Sequence, residues 1–166
     1  MPVHRLHSAL RVERPLEEVF AFFERPGNLA RITPPWMGMR MRGAEPEMGE
    51  GLEIDYTITP FPFVRTAWRS RIATYDPPRS FTDVQLRGPY ARWEHRHTFR
   101  PDGDATMVED DVTYEVPLGR FGDLFEPLLV RSRLRAIFEY RAEAISRLLR
   151  PAPASPAAPP AIAFDA

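Results

Sequence analysis

Hydrophobic and polar residues alternate in several segments of the chain, which is the pattern of β-strands that bury one face. The first such segment spans residues 4–13, and four of its residues share the face predicted to be buried: Leu6, Ser8, Leu10 and Val12. Six more alternating segments follow, at residues 37–42, 51–59, 64–75, 81–85, 93–99 and 105–116. The pattern therefore predicts a sheet of about seven strands.

Two short helices are predicted directly after the first strand. Pro15 suits the first turn of a helix, and apolar residues then recur at helical spacing: Leu16, Val19, Phe20 and Phe23. A Pro-Gly pair interrupts this pattern, and Asn28 is placed to cap a second helix that runs through Ile32.

A longer helix is predicted near the C-terminus. Asp123 and Glu126 have the spacing of a capping box, and Pro127 is tolerated in a first turn. The apolar stripe that follows consists of Leu134, Ile137, Phe138, Ile145, Leu148 and Leu149. A helix of about 25 residues, ending near Arg150, is about 38 Å long and can cross a sheet. We therefore predict one α+β domain over residues 1–150, with this helix covering an antiparallel sheet, and a Pro/Ala-rich tail over 151–166.

Polar and ionisable residues occur on the face of two adjacent strands that should be buried. The residues that share this face are Phe81, Asp83 and Gln85 in one strand and Trp93, His95, His97 and Phe99 in the next. A face that only fills a core would contain Val, Ile and Leu, because burying polar groups costs free energy. We therefore expect a ligand cavity over this face.

The register of two hairpins decides which of these side chains meet. A turn at the Gly-Pro corner between the two strands places Asp83 opposite His95. A four-residue Pro-Asp-Gly-Asp turn in the next hairpin places His95 opposite Asp110 and His97 opposite Val108. His95 would then lie between two carboxyl groups. A shift of the register by two residues would keep these side chains on the same face of the sheet but change their cross-strand partners.

Three motifs carry a resemblance to a known superfamily. They are Phe-x-Asp-x-Gln-x-x-Gly-Pro-Tyr-x-x-Trp-x-His-x-His-x-Phe at residues 81–99, Asp-x-Val-x-Tyr-x-x-Pro at 110–117 and Ile-Phe-x-Tyr-Arg at 137–141. The chain resembles the START-like, or SRPBCC, superfamily of polyketide cyclases/dehydrases and lipid-transfer domains, and in particular bacterial members of unassigned function. The resemblance implies a helix-grip fold, in which a curved antiparallel sheet wraps around the C-terminal helix. It also implies a cavity that binds an apolar or amphipathic, lipid- or polyketide-like small molecule.

The cluster of Asp83, His95 and Asp110 has three interpretations. In the first, it is a satisfied polar network that fixes the register of the sheet. In the second, it binds or activates the polar end of a ligand. In the third, His-x-His plus Asp supplies three ligands to a metal, although the sequence indicates no fourth ligand and no supporting shell. We assign neither a metal nor a cofactor from the sequence.

Ligand-binding residues are predicted on the shared face and on the helix opposite. The predicted set is Tyr56, Trp68, Phe81, Asp83, Gln85, Trp93, His95, His97, Phe99, Asp110, Tyr114, Phe138 and Arg141. Half or fewer of the aromatic members are expected to line the cavity, and the others to form core. Arg141 lies near the apolar stripe and is placed to reach a ligand carboxylate or phosphate. Phe61 and Phe63, in a Pro-Phe-Pro-Phe hairpin tip, are predicted to form a flap or a transient contact with a membrane or another protein.

The composition excludes several classes of function. The formal net charge is −1 with acidic and basic residues interspersed, so we expect no nucleic-acid partner. The chain has no Cys, which excludes disulfides, thiolate nucleophiles and Cys-ligated metals. It has no apolar segment that spans a bilayer and no apolar core of a signal peptide, so we expect a cytoplasmic protein.

The function predicted from the sequence is binding of a hydrophobic or amphipathic small molecule without chemistry. The enzymatic alternative is a cyclase or dehydratase of polyketide-like substrates. In that alternative His95 acts as general acid/base, Asp83 or Asp110 positions it, and Tyr114 donates a proton. A third possibility is a module that senses a ligand and signals to a partner protein. The chain contains no Gly-x-Ser-x-Gly elbow and no Gly-rich phosphate loop.

Overall fold

The computed structural model describes residues 2–61, 63–117, 126–150 and 160–165. Within these residues the chain forms eight strands: β1 (His4–Val12), β2 (Arg40–Met41), β3 (Glu53–Phe61), β4 (Val64–Asp76), β5 (Ser80–Arg87), β6 (Arg92–Asp102), β7 (Ala105–Glu115) and β8 (Ala161–Phe164). The helical segments are α1 (Leu16–Phe23), two 3₁₀ segments (Pro26–Ile32 and Pro35–Met37), a π-helical turn (Glu126–Val130) and α2 (Arg131–Leu148). Among the described residues, none of the helices has the length and apolar character required to cross a bilayer.

All the strands belong to one antiparallel sheet with the order β2-β3-β4-β5-β6-β7-β1-β8. The helix α2 packs on its inner face, where Leu134 and Phe138 join a cluster with Leu6, Trp93 and Val112. The predicted α+β helix-grip architecture is therefore confirmed. The sheet has one strand more than predicted, because β8, in the C-terminal tail, pairs with β1.

The helices differ from the prediction at their ends. The segment after α1 is a 3₁₀ helix that begins at Pro26, and Asn28 does not cap it. The Asn28 amide instead donates to the carbonyl of Phe22 at 2.8 Å. Asp123 of the predicted capping box lies outside the described residues. The C-terminal helix has 18 residues in regular α conformation, since the first described turn, which contains Pro127, is π-helical.

The inner face contains two apolar clusters with a polar layer between them. Along β6, Trp93 belongs to one cluster and Phe99 to the other, and His95 and His97 lie between them. The same order occurs along α2, where Arg141 lies between two apolar groups: Leu134 and Phe138 on one side, and Ala142 and Ile145 on the other. Along β7 it is Asp110 that lies between Val108 and Val112. The polar residues of three elements therefore meet at one level.

Candidate ligand-binding site

A cavity of about 430 Å³ lies between the sheet and the helices. Its walls are mostly apolar, and α1, the 3₁₀ segments, strands β3 to β6 and α2 all contribute to them. Nine of the predicted ligand-binding residues line this cavity: Tyr56, Trp68, Phe81, Asp83, Trp93, His95, His97, Phe138 and Arg141. Five of the seven aromatic members are among them, so the expectation that half or fewer would line the cavity was wrong. The volume lies in the range of small-molecule sites, roughly 300–1,000 Å³.

Four predicted residues, Gln85, Phe99, Asp110 and Tyr114, are not part of the cavity wall. Gln85 holds the β5–β6 corner, where its amide donates to the carbonyl of Tyr90 at 2.8 Å and its carbonyl accepts the Tyr90 N–H at 3.3 Å. Gly88 lies directly beneath this side chain. A Cβ at that position would be 2.2 Å from Gln85 Oε1, so a larger residue there would displace the Gln85 side chain from these hydrogen bonds.

Phe99 and Tyr114 contact other side chains of the domain and do not line the cavity. The Phe99 ring packs edge-on against Phe20 and Phe23, with ring centroids 5.2 and 5.0 Å away. The hydroxyl of Tyr114 donates to the buried carboxyl group of Glu126, and its ring stacks on His4. Burial and the Glu126 carboxyl group raise the pKa of Tyr114 above its ordinary value. This hydroxyl is therefore engaged outside the cavity.

Part of the wall was not predicted from the sequence, because it comes from segments without a regular hydrophobic period. Met37, Met39 and Met48 line the cavity from the connection before β3, and Tyr90 lines it from the β5–β6 corner. The only available signal was the concentration of methionines in residues 37–48, because flexible apolar side chains suit irregular binding surfaces.

The polar layer centres on the Asp110 carboxyl group, which is buried. Asp110 Oδ1 accepts a hydrogen bond from His95 Nε2 at 2.9 Å and lies 2.7 Å from His97 Nδ1. Arg141 Nη2 lies 3.4 Å from the same oxygen and 3.3 Å from His97 Nδ1. Side chains from β6 and α2 therefore converge on the carboxylate of Asp110 in β7.

The cross-strand partners within this layer differ from the prediction at one hairpin. Asp83 pairs with His95 as predicted, but on the other side His95 is opposite Val112 and His97 is opposite Asp110. The predicted partners were wrong by two residues, because the β6–β7 hairpin has a two-residue turn instead of a four-residue one. Asp102 pairs with Ala105 across this turn, which begins with a glycine at φ 63°. Asp110 nevertheless contacts both imidazoles.

Asp83 approaches the two imidazoles from the cavity wall. Its Oδ1 lies 3.2 Å from His97 Nε2 and 3.8 Å from His95 Nδ1. The two rings are 3.8 Å apart between centroids, and His97 also stacks on Phe81 at 4.3 Å. Each imidazole therefore has one nitrogen toward Asp110 and the other toward Asp83.

The three buried titratable groups of the layer have shifted pKa values. Burial, with a smaller contribution from His97, lowers the pKa of His95, so its neutral form is favoured. Burial acts against the charged form of His97 as well, but the contacts with Asp110 and Asp83 outweigh it and raise the pKa of His97. Burial alone would raise the pKa of Asp110. The charge of Arg141 and the bonds from the two histidines instead hold it well below its ordinary value.

The Arg141 guanidinium lies between two aromatic rings at this wall. Its Cζ is 5.4 Å from the centroid of Phe23 and 5.8 Å from that of Phe138, which are distances for cation–π contact. Its Nε is buried without a hydrogen-bond partner among the residues described. The Asp110 carboxylate and the two aromatic rings therefore stabilise the positive charge of Arg141, which burial would otherwise disfavour.

The β3–β4 hairpin tip is only partly described. Phe63 is fully exposed and has a left-handed backbone, with φ 66°. The side chain of Phe61 lies outside the described residues. The contact predicted for these two residues stays a prediction.

Comparison with known proteins gives a family and a fold. The profile described as polyketide cyclase / dehydrase and lipid transport matches residues 4–150. A START superfamily protein from Mycobacterium smegmatis is 13% identical with a TM-score of 0.65, covering 88% of this chain and 97% of its own. Norcoclaurine synthase from Thalictrum flavum, solved with dopamine and hydroxybenzaldehyde, is 19% identical with a TM-score of 0.64. The match covers 93% of this chain and 90% of that one. A nucleoside-diphosphate sugar epimerase from Corynebacterium glutamicum is 22% identical with a TM-score of 0.60, over 85% of this chain and 28% of that one. No curated protein gives a significant match.

Proposed function

This chain belongs to the polyketide cyclase/dehydrase and lipid transport family of START-like (SRPBCC) proteins, and from that premise we propose that it binds an apolar or amphipathic small molecule without transforming it. The observation that carries the proposal is the cavity of about 430 Å³, which has mostly apolar walls and a buried polar layer. Burial of apolar ligand surface supplies affinity, at about 25 cal/mol per Å² before the costs of ordering.

The polar layer gives the ligand an orientation. His95, His97, Asp83 and Arg141 all contribute to one part of the wall, between the two apolar clusters. A ligand oxygen at this level finds both donors and acceptors, while residues such as Ile72 contact its apolar portion. An amphipathic molecule with a small polar group therefore fits better than a pure hydrocarbon, which would make no hydrogen bond to this layer.

Filling the cavity is expected to abolish binding. Ser70 is buried on β4 and lines the cavity, so Ser70→Phe places a phenyl ring inside it. We expect the affinity for the fluorescent apolar probe 1-anilinonaphthalene-8-sulfonate to fall at least about tenfold, or about 1.4 kcal/mol. Fluorescence titration of the wild type and the variant measures this change.

The matched control is Thr98→Phe, which adds the same ring to the outer face of β6. It is expected to bind the probe as the wild type does. Equal affinity of the Ser70→Phe variant and the wild type would contradict binding in this cavity. Native mass spectrometry of protein purified from its own host then identifies the retained molecule.

One observation favours catalysis as a second candidate. The Nε2–H of His95 donates to Asp110, and the lowered pKa leaves its Nδ1 as a free base at the cavity wall. A cyclase or dehydratase would then use His95 as the base, with Asp110 as a positioning residue. In that case His95→Gln is expected to retain substrate binding and lose turnover about 10²–10⁴-fold on a panel of polyketide-like substrates. Unchanged turnover by the variant would exclude this role of His95.

A further inference from the structure

Three potential metal ligands converge where the polar layer meets the cavity. One ligand atom each from Asp83, His95 and His97 lies within 4.8 Å of the other two. Asp83 Oδ1 is 3.2 Å from His97 Nε2 and 3.8 Å from His95 Nδ1. Ligand atoms at metal–ligand bonds of about 2.0–2.1 Å are separated by about 3.3 Å in a tetrahedral site. Small side-chain movements therefore bring the three atoms onto one ion.

The opposite nitrogens of both imidazoles are held by one carboxyl group. Asp110 Oδ1 lies 2.9 Å from His95 Nε2 and 2.7 Å from His97 Nδ1. Histidines that bind metals commonly donate their second ring N–H to a carboxylate, which fixes the tautomer and the orientation of the ring. The sequence indicated no such supporting shell for a metal site, and the contacts of Asp110 provide one.

We propose that Asp83, His95 and His97 bind one divalent first-row transition metal ion, and that Asp110 is the positioning residue for both histidines. Two imidazoles and one carboxylate suit Zn²⁺, Co²⁺ or Fe²⁺, whereas Mg²⁺ and Ca²⁺ prefer oxygen ligands alone. Because all three ligands line the cavity, the remaining coordination positions face it. Oxygen donors of a cavity ligand can occupy these positions, but the metal site does not depend on the identity of that ligand.

The charge of the layer accommodates such an ion. Metal ligation requires neutral imidazoles and an ionised carboxylate. The carboxylates of Asp83 and Asp110 and the guanidinium of Arg141 then have a net charge of −1. A divalent cation changes the net charge of the layer to +1. A purely structural network explains the contacts of Asp110, which is buried. Asp83 differs from Asp110 in that its side chain is 20% exposed at the cavity wall, where it is directed at the remaining nitrogen of each ring.

The direct test uses the wild-type chain labelled with ¹⁵N-histidine and freed of metal with a chelator. On titration with Zn²⁺ we expect saturation at one ion per chain. The His95 Nδ1 and His97 Nε2 resonances should shift to values typical of metal-bound imidazole. His4 and His7, the two other histidines, act as internal controls and should not shift. Equal shifts of all four histidines, or shifts of His95 and His97 only at millimolar Zn²⁺, would overturn the proposal.

Variants test the role of each residue by the visible absorption of bound Co²⁺. Asp83→Asn and His97→Gln are expected to weaken Co²⁺ binding at least about 100-fold. The control is His7→Gln, because His7 forms an exposed pair with Asp111 at 2.8 Å and should have no effect. Asp110→Asn should weaken binding about 10- to 100-fold while keeping the stoichiometry and shape of the Co²⁺ spectrum. Wild-type affinity in both Asp83→Asn and His97→Gln would overturn the site, and the wild-type titration decides the question if either variant fails to fold.

Discussion

Asp110→Ala is expected to lower the free energy of unfolding by about 3–5 kcal/mol, which is the cost of leaving a buried charge without its partner. Arg141 is as deeply buried as Asp110, with 7% and 6% of the two side chains exposed. The substitution also removes the acceptor that His95 and His97 share. Urea denaturation followed by circular dichroism measures the change.

The next residue in the chain provides the control for Asp110. Asp111 has an exposed side chain on the outer face and pairs there with His7, so Asp111→Ala should change stability by less than about 0.5 kcal/mol. A double variant, Asp110→Leu with Arg141→Leu, replaces both partners with apolar groups. It is expected to be at least about 1 kcal/mol more stable than Asp110→Ala. Near wild-type stability of Asp110→Ala would show that Asp110 and Arg141 are not energetically coupled.

Phe99→Ala is expected to destabilise the protein by about 3–5 kcal/mol through the cavity it leaves in the core. The Phe99 ring is 1% exposed and packs against Phe20, Phe23 and Phe81. These three rings belong to α1 and β5, so the lost contacts weaken the attachment of α1 to the sheet. Denaturant unfolding and the thermal midpoint both report this change.

Phe63 is the matched control, because it is the same residue type with a fully exposed side chain. Phe63→Ala is expected to change stability by less than about 0.5 kcal/mol. A loss below about 1 kcal/mol for Phe99→Ala would contradict the assignment of Phe99 to the core. Phe99 would then belong to the cavity wall, where the sequence analysis had placed it.

The fold was predictable because the spacing of apolar residues and the length of each segment distinguish strands from helices. Residues at alternate positions of the first strand, such as Leu6 and Leu10, are buried as predicted. The β5–β6 register was also predictable, because a Gly-Pro corner leaves few ways to turn. The strand β8 was not predictable, since Ala161–Phe164 is short and gains its hydrogen bonds only from pairing with β1.

The partners within the polar layer were predictable only in part. Alternation assigned His95, His97 and Asp110 to the same face, and all three are buried there. The register across β6 and β7 depended on the length of the turn, and Pro101 was taken as a turn residue although it pairs with Thr106 in the ladder. A two-residue error changes every cross-strand partner without changing the face.

The distinction between core and cavity wall could not be made from the sequence. Phe81 and Phe99 lie on the same face of neighbouring strands, yet of the two only Phe81 lines the cavity. What separates them is the position of α1: Phe20 contacts both rings, whereas Phe23 packs against Phe99 at 5.0 Å. Such contacts depend on the packing angle of a helix against the sheet, and local periodicity carries no information about that angle.

The pairing of β8 with β1 has a consequence for association between molecules. Without β8, one side of β1 would present free N–H and C=O groups to which a strand of another molecule can add. With β8 in place the outermost strand is only four residues long and follows Pro160, and short edge strands next to proline are poor templates for further addition. At this edge of the sheet, β8 thus covers the backbone groups of β1 to which another molecule could otherwise add a strand.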